Sequence, residues 1–345
     1  MEYRTFGRTG LKVSAMGFGT WPMSGDRYGP IEDEQAIRAI QRAIQSGVNC
    51  VDTAPGYGTG HAEEVTGRAL KGRRDDVILV TKCGIAWNPE TKVADRDSGR
   101  ANILREVDAS LMRLDTDRID VYLVHWPDIK VPFEETAAVM DEVVKSGKVR
   151  YVGVSNFTVE MMEAFQKVRP IDVIQVGHHV FDRRMEQEIF PFCAKNNIGV
   201  MAYGSLGHGL LTGTFTSDTA FDAADWRSRG VFFGQPILKG DNFKHNVALV
   251  DRIKREVADP RGVPMPQLAL AWVLSNPVVS TALVGSRSPE ELQQNLAGTE
   301  ITLSDDERTK IDEIMREAKG MISAFTPLKQ AMEEWEPVAA ATPAT

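Results

Sequence analysis

Three apolar runs in this sequence end on residues able to move protons. The stretch VDTAPGYGTG, Val51 to Gly60, stops at Asp52, turns through proline and glycine, and sets a lone tyrosine, Tyr57, in the loop. A second run ends VTKC with Lys82, and a third ends VHWP with His125. A buried ammonium beside a phenol favours the phenolate, so Lys82 is expected to draw the Tyr57 pKa down from about 10. Asp52 is suited to keep Lys82 charged and oriented, because an unpaired buried ammonium is costly. His125 can donate a hydrogen bond to a carbonyl oxygen as charge develops on it, and Tyr57 can protonate that oxygen. This apparatus suits carbonyl reduction. No side chain supplies a hydride, so a nicotinamide cofactor is implied.

Each of the four also has an ordinary structural use. Asp52 serves equally well as a turn cap, and Lys82 as a strand-end lysine reaching for solvent. His125 fits a hydrogen-bonded core histidine, and Tyr57 fits loop packing. Their joint placement at equivalent strand ends is what shifts the balance toward a site.

Short Val- and Ile-rich runs alternate with amphipathic segments along the whole chain. The strand-like runs are 13–20, 49–54, 76–83, 119–125, 149–157, 172–179, 199–206 and 280–286. Among the helix-like segments, EDEQAIRAIQRAIQSG sets Ala36, Ile37, Ile40 and Ile44 on one stripe and ends at a glycine. NILREVDASLMRL, PFEETAAVMDEVVKSG and SPEELQQNL read similarly. Eight strand-helix units favour an α/β fold, a (β/α)8 TIM barrel, whose active site lies at the C-terminal ends of the strands. A doubly wound open sheet is the alternative, but no GxGxxG follows an early strand. YRTFGRTGLKVS reads as an N-terminal β-hairpin turning at Arg8-Thr9-Gly10 and plugging one barrel end. Residues 207–243 carry many glycines and no clear periodicity, and a loop that long is usually functional. Residues 1–320 are expected to form one domain with extra C-terminal helices, and 321–345 a partly disordered extension.

Bulk properties exclude several function classes. A formal net charge of -8 argues against binding nucleic acid or anionic membranes. The start lacks a signal-peptide apolar region and no run approaches membrane-spanning length, so a cytoplasmic protein is expected. Cys50, Cys83 and Cys193 form no CxxC pair and no metal-ligand spacing, so no metal is expected. Cys50 and Cys83 read as buried free thiols.

GFGTW, VDTAPGYGTG, VTKCG, DVYLVHWPD, VGVSNF and AYGSLGHGLLTG, in that order, resemble the motifs of the aldo-keto reductase superfamily. The resemblance runs from about residue 3 to about residue 320. It implies that Asp52, Tyr57, Lys82 and His125 are a catalytic tetrad with Tyr57 as general acid. It also implies that Ser155, Asn156 and Gln175 hold the nicotinamide carboxamide and that Tyr203 stacks on its ring. Gly204, Ser205, Leu206 and Gly209 would approach the pyrophosphate, where glycine permits close backbone contact. In VGSRSPEELQQNL, Ser286 and Arg287 would take a 2′-phosphate, and Gln294 and Asn295 the adenine. The same stretch reads as a helix start, with Ser288 as N-cap and Glu291 as its capping-box partner.

Two departures from that family pattern matter. Gly285 and Glu291 stand where cations often occur, leaving Arg287 as the main local positive charge. One arginine can still grip a phosphate bidentately. NADPH is therefore favoured, with NADH open. Gly177-His178-His179 also replaces the more usual residues after Gln175, where the histidines either adjust the site floor or simply pack. Trp21, Trp87 and Trp126 follow strand ends, with Tyr28 nearby, and suit an apolar slot for an aldehyde or ketone; rim packing is their ordinary use.

The expected activity is an NADPH-dependent reductase of aldehydes or ketones acting on a small-molecule carbonyl or alcohol. The alternatives are an NAD(P)-linked sugar or alcohol dehydrogenase and a nonenzymatic cofactor-binding regulatory subunit. An intact tetrad argues against the last.

Overall fold

Strands buried on both faces read as nearly continuous apolar runs, and helices must cover them when they pair in parallel. That is how this chain folds. A computed structural model describes residues 1–25, 28–87, 94–223 and 225–322. Its strands are β1 (Tyr3–Thr5), β2 (Lys12–Ser14), β3 (Met16–Gly19), β4 (Cys50–Asp52), β5 (Ile78–Cys83), β6 (Ile85–Trp87), β7 (Ala94–Arg96), β8 (Ile119–Val124), β9 (Val149–Ser155), β10 (Val173–Gly177), β11 (Gly199–Tyr203) and β12 (Val279–Val284). Eight of them close a parallel barrel in the order β3-β4-β5-β8-β9-β10-β11-β12. Ala282 of β12 pairs with Met16 of β3, which seals the ring and disposes of the open-sheet alternative. The expected tail falls almost wholly outside the described residues, since 323–345 are not among them.

The run 13–20 is two strands, not one. Ser14 donates its hydroxyl to the Met16 carbonyl (2.7 Å) and exchanges bonds with Asn49 on either side. These side-chain bonds bend the chain at Ala15. Lys12–Ser14 therefore pairs with β1 in the hairpin, and Met16–Gly19 alone enters the barrel. The hairpin does plug the barrel's N-terminal end. Phe6 and Val13 are buried with Val80, Val121, Leu123 and Met201, whose side chains fill the interior. Gly7 sits so close to Gly199 that a Cβ on it would lie 2.1 Å from the Gly199 nitrogen.

Outside the barrel, a second apolar layer fills the space between strands and helices. The helix Asp33–Gln45 buries Ala36, Ile37, Ile40 and Ile44, the stripe its sequence displays. Gly47 follows with φ 91°, a conformation that side-chain-bearing residues rarely adopt. Two insertions rise above the C-terminal rim: the antiparallel pair β6–β7, and the segment between β11 and the helix Asp241–Ile253.

The tightest point of the barrel is β9 against β10, at Gly153. A Cβ there would stand 2.0 Å from the Val173 carbonyl oxygen and 2.7 Å from Leu123. The obstacle is a strand backbone, which cannot swing aside. Gly153→Ala is therefore expected to lower unfolding stability by about 3 kcal/mol or more, read by urea denaturation.

Candidate active site

Asp52 ends β4, Lys82 is the penultimate residue of β5, and His125 follows β8 directly, so their side chains meet at the barrel's C-terminal rim. The turn after β4 brings Tyr57 over them. Lys82, fully buried, donates to both Asp52 carboxylate oxygens (2.9 Å each) and to the Thr53 carbonyl (2.8 Å). It also lies 3.2 Å from the Tyr57 hydroxyl oxygen. Because Nζ donates to that oxygen, the phenolic hydrogen is left to serve another acceptor. The Tyr57 and His125 rings stand edge to face at 5.8 Å. Gln175, from β10 across the barrel, donates Nε2 to Asp52 Oδ1 at 2.7 Å.

Burial governs the acidity of all four groups. It raises the Asp52 carboxyl and lowers the Lys82 ammonium, while their mutual contact opposes both shifts. It lowers the His125 imidazole well below its ordinary value, with the charges of Lys82 and Arg96 adding to the effect, so the ring is neutral. Tyr57 corrects the expectation from sequence. Burial pushes its phenol well above the ordinary value of 10.0, and the Asp52 charge pushes the same way. The lysine charge is largely spent on Asp52, so its pull on the phenol is outweighed. Tyr57 is a protonated donor at neutral pH.

These groups open into a cavity of 2470 Å³ that runs along the rim. Ser155, Asn156, Gln175 and Tyr203 line it beside the tetrad. Asn156 has a left-handed backbone (φ 62°), donates to Ser155 Oγ at 3.0 Å, and accepts from the Tyr203 hydroxyl at 2.9 Å. Gly204, Ser205, Leu206 and Gly209 continue the wall, followed at the far end by Arg287, Gln294 and Asn295. Arg287 donates to the Tyr28 carbonyl at 3.0 Å and to that of Pro30, so it spans the cavity's edge. Ser286 is the exception: it is buried behind the wall, where its hydroxyl accepts from Asn295. Ser288 caps the helix Pro289–Leu296 as expected. The Glu291 carboxylate, however, accepts from the Arg287 backbone rather than closing a capping box.

Trp21, Tyr28, Trp87 and Trp126 all border the cavity, with Trp87 at its outer edge and 38% exposed. His178 and His179 do not. His178 is buried between Phe190 and Trp272 and bonded to Glu186, and His179 packs against His208. Of their two uses, packing is the one observed.

Sequence reasoning missed several lining residues. Trp226, 4.9 Å from Trp21, and Phe233, 5.8 Å from Trp126, come from the long segment after β11. Their only signal was the density of aromatics in a stretch without periodicity. Arg96 and Glu106 also line the cavity. Glu106 accepts from the Gly84 backbone (2.7 Å) and Asn102 (3.0 Å) beneath the β6–β7 hairpin, and burial pushes its carboxyl up to about 8. Among the described residues, no group of His, Cys, Asp and Glu is placed to hold a metal ion. No described helix is long and apolar enough to cross a membrane.

Comparison with known proteins matches residues 15–316 to the model of the Aldo/keto reductase family. The chain is 39% identical to Aldo-keto reductase YhdN of Bacillus subtilis, over 91% of this chain and 94% of that one. It is 35% identical to the NADH-specific methylglyoxal reductase of Escherichia coli, over 91% and 98% respectively. Among solved structures, the glycerol dehydrogenase AKR11B4 of Gluconobacter oxydans superposes with a TM-score of 0.83 at 36% identity, covering 92% of this chain and 96% of that one.

The buried ion pair makes a stability prediction independent of any activity. Lys82→Met leaves Asp52 charged and unpaired in the barrel, and is expected to cost about 3–5 kcal/mol in urea unfolding. Adding Asp52→Asn removes the stranded charge and should restore roughly half of that loss.

Proposed function

The chain belongs to the Aldo/keto reductase family, and on that premise we propose that it is an NAD(P)H-dependent oxidoreductase that reduces small aldehydes or ketones to alcohols, with Tyr57 as proton donor. The observation carrying this reading is the Lys82 ammonium held between Asp52 and the Tyr57 hydroxyl at the floor of the cavity.

The residues present fit a nicotinamide dinucleotide. Ser155, Asn156 and Gln175 gather hydroxyl and amide donors and acceptors beside Tyr57, as a carboxamide requires. Gly204 and Gly209 keep the wall thin where a pyrophosphate would pass, and Arg287 offers a guanidinium at the other end. When bound, such a cofactor would supply the hydride that the carbonyl carbon takes up. The protein does the rest. The Trp21, Tyr28 and Trp126 walls exclude water and hold the substrate's apolar part. Neutral His125 and protonated Tyr57 donate to the carbonyl oxygen, fixing its position. As charge develops there, the Tyr57 proton passes to it, and Lys82, 3.2 Å away, steadies the phenolate left behind. Asp52 keeps the lysine charged and aimed, and Gln175 holds Asp52. In this reading residues 1–320 act as one unit.

NADPH is the preferred form if Arg287 takes the 2′-phosphate. The curated relative that is NADH-specific, together with Gly285 and Glu291 beside Arg287, supports NADH as the second reading.

Titrating each nucleotide against tryptophan fluorescence, then assaying an aldehyde panel, tests both. Tighter NADPH binding and turnover are expected, and Tyr57→Phe should lose roughly 10²–10⁴ in kcat while still binding nucleotide. Undiminished turnover in that variant would sink the role of Tyr57, and binding of neither nucleotide would sink the whole assignment. The raised Tyr57 pKa also fixes the pH dependence. The donor stays protonated across neutrality, so the reduction rate should stay level from about pH 6 to 9. The reverse oxidation, which needs the phenolate, should climb with pH over the same range.

A further inference from the structure

Arg96, at the end of β7, is not used by the mechanism above. It is 5% exposed, yet no carboxylate lies within ion-pair distance of it among the described residues. Among the described residues, its one side-chain hydrogen bond runs from Nη1 to the Pro127 carbonyl, at 3.3 Å. Among the described residues, the two acids whose charges reach it are engaged elsewhere. Asp95 pairs with Lys130, and Asp128 accepts from the backbones of Ser98 and Lys130. Burial pulls the guanidinium down to about 10, although the charges of Asp128 and Asp95 push it up. A desolvated cation whose remaining donors meet no acceptor among the described residues is costly to keep unless something uses it.

Its position indicates what does. Arg96 lines the cavity, with Cζ 5.2 Å above the Trp126 ring. Trp126 stacks at 6.5 Å on His125, which faces Tyr57. A substrate lying along Trp126 would therefore have its carbonyl at Tyr57 and its far end at the guanidinium. A planar guanidinium fork suits a carboxylate better than any neutral group.

We propose that Arg96 is a specificity-determining residue that selects carbonyl substrates carrying a carboxylate at the end remote from the reacting carbon. This deepens the reductase reading and rests on it. Arg96 does not touch the reacting atoms, so its effect falls on substrate selection rather than on proton transfer.

The test compares 4-carboxybenzaldehyde with 4-carbamoylbenzaldehyde, which has nearly the same shape without the charge, in wild type, Arg96→Gln and Arg96→Lys. Wild type should favour the carboxylate by about tenfold or more in kcat/KM, mostly through KM. Arg96→Gln should bring that ratio near one, and Arg96→Lys should keep part of it, guarding against a variant that merely fails to fold. A ratio near one in wild type, or one unchanged by Arg96→Gln, overturns the proposal and leaves Arg96 as a pin between the hairpin and Pro127.

Binding of benzoate against benzamide to the wild-type protein with NADP⁺, followed by tryptophan fluorescence, separates the two levels. Nucleotide binding and aldehyde turnover without a benzoate preference overturn the carboxylate assignment alone. Absence of nucleotide binding and of all turnover overturns the reductase reading, and equal binding of the two probes would then overturn this one as well.

Discussion

A single buried charge organises this molecule. Lys82 is carried on a strand that faces protein on both sides, where an ammonium without partners would not remain ionised. Its partners come from three directions. Asp52 and the Thr53 carbonyl come from the neighbouring strand, Tyr57 from the loop beyond it, and Gln175 reaches the aspartate from β10 on the other side of the ring. That convergence exists only when the barrel is closed. Closure in turn depends on strands apolar enough to be buried on both faces, so the composition that builds the fold also creates the dry environment the charge needs. The fold and the site share one cause.

The same desolvation decides how the groups differ in role. Burial raises acids and lowers bases, so it pushes Tyr57 and His125 toward their neutral forms while the Asp52–Lys82 contact resists it for that pair. Two neutral donors beside a fixed ion pair is the arrangement that placement produces. An argument from pairwise charges alone sends the Tyr57 pKa the wrong way, because it counts the lysine and omits the missing water.

Much of this was legible in the sequence, for identifiable reasons. Barrel strands advertise themselves because burial on two faces allows no polar interruption until the rim. The interruptions, Asp52, Lys82 and His125, therefore mark the rim directly. The helix stripe of Ala36, Ile37, Ile40 and Ile44 was equally plain. What escaped notice depended on local side-chain bonds or on irregular chain. The break at Ala15 is made by Ser14 and Asn49, whose partnership is not a periodic signal. Trp226 and Phe233 lie in a stretch with no period to place them, and Arg96 stands on a short hairpin edge. Ser286 failed for a different reason: its type was right for a phosphate, but it turns inward to Asn295.

The plug at the barrel's base bears on the order of assembly. Phe6 and Gly7 close onto Gly199, and β3 just behind them pairs with β12, so contacts very distant in sequence shut the base of the barrel. The β1–β2 hairpin is held by local pairs, but its seat on the barrel needs β11 and β12 in place. Contacts so distant in sequence are slow to form and leave their strands exposed meanwhile. Seating the hairpin is thus a long-range step that its own local pairing cannot complete.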